Sequence, residues 1–105
     1  IAAAAGVSME INDNAVPVTE PVRGACEILG LDPLYVANEG RFIAIISSRD
    51  LPLALETLHR EPVSAGAVLI GNVVRGHGGQ VTLQSRLGVP RVLDLLSGEQ
   101  LPRIC

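Results

Sequence analysis

Hydrophobic and polar positions change period several times along the chain, and each change marks an element. Val7-Ser8-Met9-Glu10-Ile11 alternates apolar and polar with period two, which predicts a half-buried strand, and Asn12-Asp13-Asn14 closes it with turn-forming side chains. Ahead of it, Ile1 to Ala5 reads as the last turns of a helix ended by Gly6, where a left-handed cap residue costs least. Ala15 to Glu20 is held extended by its prolines. Pro21 then sits where a first helical turn tolerates it, and Val22, Ala25, Cys26 and Leu29 follow at helical spacing until Gly30 stops the helix.

Leu31 to Gly40 contains Asp32-Pro33, a short turn or strand, and the polar corner Asn38-Glu39-Gly40. This corner leads into Phe42-Ile43-Ala44-Ile45-Ile46, an unbroken apolar run that predicts a buried, central strand. Ser47 or Ser48 is placed to cap the next helix, with Asp50 favourable against its dipole, Pro52 in its first turn, and Leu51, Leu55 and Leu58 as its buried stripe. Beyond Pro62, Val68 to Val74 and Val81 to Leu83 flank Gly76-His77-Gly78-Gly79 as in a hairpin, and a further strand covers Arg91 to Leu95. The order helix end, β, α, β, α, β, β, β argues for an α+β fold with α/β-type layers around one mixed sheet. Residues 1–96 read as one partial domain. Residues 97–105 read as an extended tail, because Gly98 is a hinge and Pro102 forbids regular helix.

Composition narrows the chemistry. With 14 Leu, 12 Val, 11 Ala and 8 Ile against one Phe, one Tyr and no Trp among 105 residues, the core is aliphatic. The net charge is −3 and all eight basic residues are Arg, spread singly, so nucleic-acid binding is disfavoured. Apolar runs of about five residues fall far short of the roughly 20 that span a bilayer. Two cysteines do not make a disulfide scaffold, and a reducing cytoplasm suits them. The first residues carry neither a Met nor a signal-peptide core, so the chain reads as a piece cut from a longer protein.

The sharpest chemical feature is Cys105, a thiol at the very end of the tail. Nine residues extend at most about 30 Å, so such an arm can move a covalently attached group between sites. The alternative is an incidental terminal cysteine. Its own carboxylate should raise the thiol pKa and Arg103 partly offsets this, so an external site must activate it. Glu39, in its polar corner, is either a partly desolvated base or a solvated turn residue. Cys26 reads as core packing. Gly76-His77-Gly78-Gly79 lacks the Lys and helix of a phosphate loop, His59 reads as a surface residue at a helix end, and no metal-ligand set is legible.

Two long stretches, Val22 to Gly40 (VRGACEILGLDPLYVANEG) and Arg91 to Cys105 (RVLDLLSGEQLPRIC), strongly resemble the C-terminal part of the HypE family of hydrogenase maturation proteins, the carbamoyl dehydratases. That family is in turn similar in fold to aminoimidazole ribonucleotide (AIR) synthetase. The resemblance covers nearly all 105 residues, and the terminal Pro-Arg-Ile-Cys is its most specific part. It implies a partial AIR synthetase-like C-terminal domain, a mixed sheet packed with helices and a terminal tail. It also implies an absent N-terminal domain that binds ATP with Mg2+ and forms a homodimer.

The implied chemistry makes the cyanide ligands of the nickel–iron hydrogenase centre. A HypF carbamoyltransferase loads a carboxamide onto the thiol matching Cys105. ATP then drives dehydration to a thiocyanate, and a HypC–HypD scaffold receives the cyanide on iron. Glu39 matches the family's Asn-Glu-Gly motif and is expected to accept the amide proton, while Gly98, Pro102, Arg103 and Ile104 position the tail. Without the ATP domain this piece is not expected to turn over, and its uncovered sheet edges are expected to drive association of copies. Two other readings compete. One is a thiamine-monophosphate kinase-like or selenide, water dikinase-like enzyme of the same superfamily, which needs no terminal thiol. The other is a non-catalytic interaction module docking through Leu101 to Ile104, which would tolerate Cys105→Ser.

Overall fold

The computed structural model describes residues 1–76, 78–85 and 88–94. They form two compact units, one from residues 1–37 and 70 onward and one from residues 38–69.

The first unit is built on a four-stranded mixed sheet. A short helix, α1 (Ala2–Ala5), leads into strand β1 (Ser8–Asn12), and helix α2 (Glu20–Leu29) follows. Strands β2 (Gly71–Val74), β3 (Val81–Gln84) and β4 (Pro90–Val92) complete it in the order β2-β1-β3-β4. Both helices end as their glycines predict. Gly6 and Gly30 have φ of 65° and 66°, and in each case the glycine's own amide and the next one donate back to last-turn carbonyls. The expected turn after β1 is also present, with the Asn14 amide donating to Asn12 Oδ1 at 3.1 Å.

The β2–β3 connection differs from the expected hairpin. β1 lies between the two strands, antiparallel to β2 from Ser8↔Val74 to Ile11↔Gly71 and parallel to β3 from Met9↔Val81 to Asn12↔Gln84. The glycine-rich stretch therefore straddles the start of β1, with the Gly79 amide donating to the Val7 carbonyl at 2.7 Å. Side chains have no room there. A Cβ on Gly76 would lie 2.7 Å from Ser8 Oγ, and one on Gly79, whose φ is 89°, would lie 3.1 Å from Ala3 Cα. Alternation along β2 and β3 identified strands, but it could not say that a segment some 60 residues upstream separates them.

β4 pairs antiparallel with β3 from Thr82↔Val92 to Gln84↔Pro90 and forms one edge of the sheet. A proline is tolerable at the start of an edge strand, where its missing amide costs no ladder bond. The strand expected over residues 91–95 is thus shorter and begins one residue earlier. The core of this unit is small. Ala2, Cys26 and Leu83 are buried, Leu83 most completely at 1% exposure, and the polar Ser8 is buried as well.

The second unit contains helix α3 (Leu51–Arg60), preceded by a 3₁₀ turn at Ser48–Asp50 and followed by another at Pro62–Ser64. Leu51, Leu55 and Leu58 do share one half-buried face with Ala54. The expected serine cap is replaced: winding Ser48 into the 3₁₀ turn removes it from the cap position, and neither Ser47 nor Asp50 makes a side-chain cap bond. The predicted central strand is also absent. Residues 41–47 form neither helix nor strand, and Phe42, Ile43, Ile45 and Ile46 are exposed, Phe42 by 70%. A strand exists only by hydrogen bonding to a neighbour, and this run enters no ladder among the described residues.

Candidate functional site

The residues predicted to do chemistry fall into three places. Cys105, Gly98, Pro102, Arg103 and Ile104 lie outside the described residues, as does His77. Glu39 lies in the second unit, exposed between exposed Asn38 and Gly40, the latter in a left-handed conformation with φ 73°. The buried strand that was to desolvate Glu39 is not formed beside it. Cys26 is buried on α2, as its helical spacing predicts for a packing residue. His59 at the end of α3 is exposed, with Nε2 2.7 Å from the Ala67 carbonyl oxygen.

A polar cluster that local sequence patterns did not single out sits beside β4. Asp32 opens a tight turn in which its Oδ1 accepts from the Leu34 amide at 3.0 Å and its carbonyl accepts from the Tyr35 amide at 2.9 Å. The other carboxylate oxygen, Oδ2, accepts from the Arg91 guanidinium at 2.5 Å. Hydrogen bonding to this carboxylate holds the Arg91 guanidinium above its ordinary pKa. Tyr35 Oη donates to the Asp94 carbonyl at 3.1 Å, and the Leu93 amide donates to Val81. Two contacts spanning 59 positions thus tie one turn to the last described residues. The Asp-Pro pair signals a turn in the sequence, whereas nothing local signals where that turn docks.

Gly76 packs against Ser8 and Gly79 against Ala3, and the chain's eight basic residues are all Arg, so the sequence has no P-loop lysine. No group of three or more His, Cys, Asp and Glu side chains converges among the described residues. No helix among them is long and apolar enough to cross a membrane.

Comparison with known proteins defines the class. Residues 1–84 match the family described as AIR synthase related protein, C-terminal domain, and the chain belongs to that family. Within it, the chain is similar to carbamoyl dehydratase HypE. It is 49% identical over 105 residues to HypE from Azotobacter vinelandii and 46% identical over 105 residues to HypE from Rhodobacter capsulatus, covering all of this chain and 31% of each relative.

Among solved structures, a hydrogenase maturation protein HypE superposes with a TM-score of 0.90 at 42% identity, over 99% of this chain and 34% of that one. HypE in complex with ATP gives 0.89 at 41% identity, over 99% of this chain and 32% of that one. A HypE–HypF complex gives 0.77 at 32% identity, over 85% of this chain and 28% of that one. The chain therefore spans about a third of the length of the relatives it matches.

Proposed function

We propose that this chain is the carrier part of a HypE-type carbamoyl dehydratase, acting in hydrogenase maturation in the cytoplasm. The observation that carries the reading is 46–49% identity to carbamoyl dehydratases over all 105 residues, a span that includes Cys105. Residues 1–96 serve as platform and residues 97–105 as arm. The Cys105 thiolate attacks an activated carbamoyl group presented by a HypF-type transferase, forming an S–C bond and releasing the transferase's leaving group. The resulting thiocarboxamide is dehydrated to a thiocyanate as ATP is cleaved to ADP and phosphate, and transfer of the cyano group to iron on a HypC–HypD-type scaffold breaks the S–C bond, returns the Cys105 thiolate and takes two electrons from an external reductant that acts on that scaffold.

ATP and Mg2+ belong, in this reading, to the part of a homodimeric protein outside this chain, so the chain by itself does not turn over. Its own residues have simpler tasks. Cys105 holds the group, Gly98 and Pro102 hinge and extend the arm, and Arg103 and Ile104 steer its end toward anionic and apolar contacts. Glu39 accepts an amide proton once the arm reaches it. Its exposure in this chain leaves it open to such an approach.

The test is the mass of the C-terminal peptide after incubation with HypF, carbamoyl phosphate and ATP, with Cys105→Ser as control. Carbamoyl mass on Cys105, absent from the control, is the expected result. An unmodified thiol in both this chain and the full-length protein would overturn the carrier reading.

A further inference from the structure

The polar cluster beside β4 has a place but, so far, no task. β4 is a three-residue edge strand, exposed at each position and bonded to β3 on one side. A strand so short frays unless something else ties it down. The Asp32–Tyr35 turn supplies two ties from outside the sheet, one at the middle of β4 through Arg91 and one beyond its end through Asp94. Asp32 is oriented for this, since Leu34 holds one carboxylate oxygen while the other meets the guanidinium. The pair is also partly sheltered, with Asp32 29% and Arg91 49% exposed.

These ties end where residues 95–105 begin. We propose that Asp32, Tyr35 and Arg91 are positioning residues for the carrier thiol, clasping β4 so that Asp94 is a fixed point from which the remaining chain runs to Cys105; the inference rests on Cys105 being the carrier. With the clasp closed, 11 residues separate the root from the end of the chain. If β4 is released back to Ser85, 20 residues do. The effective concentration of a tethered group falls as about the −3/2 power of tether length, so release costs roughly 2.5-fold at each fixed site the thiol must visit.

The experiment uses the full-length protein with Asp32→Ala, Arg91→Ala and Tyr35→Phe, and the charge-swapped double variant Asp32→Arg with Arg91→Asp. Amide exchange at Leu93 should rise roughly tenfold when the ion pair is lost and fall back in the swapped variant. Dehydration of pre-loaded Cys105 should slow about two- to threefold per folded molecule, with the KM for ATP unchanged. Alkylation of Cys105 by N-ethylmaleimide, which requires no docking, should not change. A purely structural role would lower the melting temperature and folded fraction while leaving the rate per folded molecule intact, and that result would overturn the proposal. So would unchanged Leu93 exchange. Failure of the carrier reading is separate, because then Cys105 of the unsubstituted protein would never become loaded.

Discussion

The two units of this chain treat similar apolar sequence in opposite ways. In the first, β1 has a bonded neighbour on each side, and Leu83 on the adjacent β3 is 1% exposed. In the second, the Phe42–Ile46 run is at least as apolar as any strand of the sheet, yet it forms no ladder and Ile43 is 71% exposed. Hydrophobicity alone therefore does not make a strand. An apolar run becomes a strand only where its backbone donors and acceptors also find partners.

The largest test of this contrast is Leu83→Ala. It should cost about 3 kcal/mol, through lost transfer energy and the cavity left behind, as read from urea unfolding of the 105-residue chain. Hydrogen exchange should localise the loss to the sheet. A similar loss of protection in α3 would break the distinction between the units.

Next comes Gly71→Ala. The new Cβ would lie 2.2 Å from the Glu10 carbonyl oxygen, so β1 and β2 must separate locally, at about 2 kcal/mol. Gly30→Ala should cost less, about 1 kcal/mol, because nothing crowds the position and only its left-handed φ of 66° is unfavourable. A melting-temperature shift for Gly71→Ala that falls between those of Leu83→Ala and Gly30→Ala would confirm the order.

The smallest effect belongs to the second unit. Phe42→Ser should change stability by no more than about 0.5 kcal/mol, since the ring is 70% exposed. It should instead weaken self-association, measured by sedimentation at high concentration, because an exposed apolar run invites pairing between copies. A loss of several kcal/mol would show that this run is buried in solution and would erase the contrast.

Legibility in the sequence followed the range of the interaction. Gly6, Gly30 and the Asn12–Asn14 turn were readable because each acts within a few residues, through a left-handed backbone or a side chain capping its own turn. The leucine face of α3 was readable from its period. The serine cap failed at the same short range, because a 3₁₀ turn and a cap compete for the same residues. As for the site, Cys105 and Glu39 stood out by residue type and position, whereas the Asp32–Arg91 and Tyr35–Asp94 contacts could not, since their partners lie 59 positions apart.

The sequence by itself determined the α+β class, the helix ends, the packing role of Cys26 and, through its resemblance, the family. These depend on local backbone preference, on side-chain period, and on residues that can be compared directly with relatives. Only the tertiary structure decided that β1 inserts between β2 and β3, that Phe42–Ile46 enters no ladder among the described residues, and that the Asp32 turn closes on β4. Strand neighbours and ion pairs are chosen by whichever segments meet in space, and period and propensity carry no record of that choice.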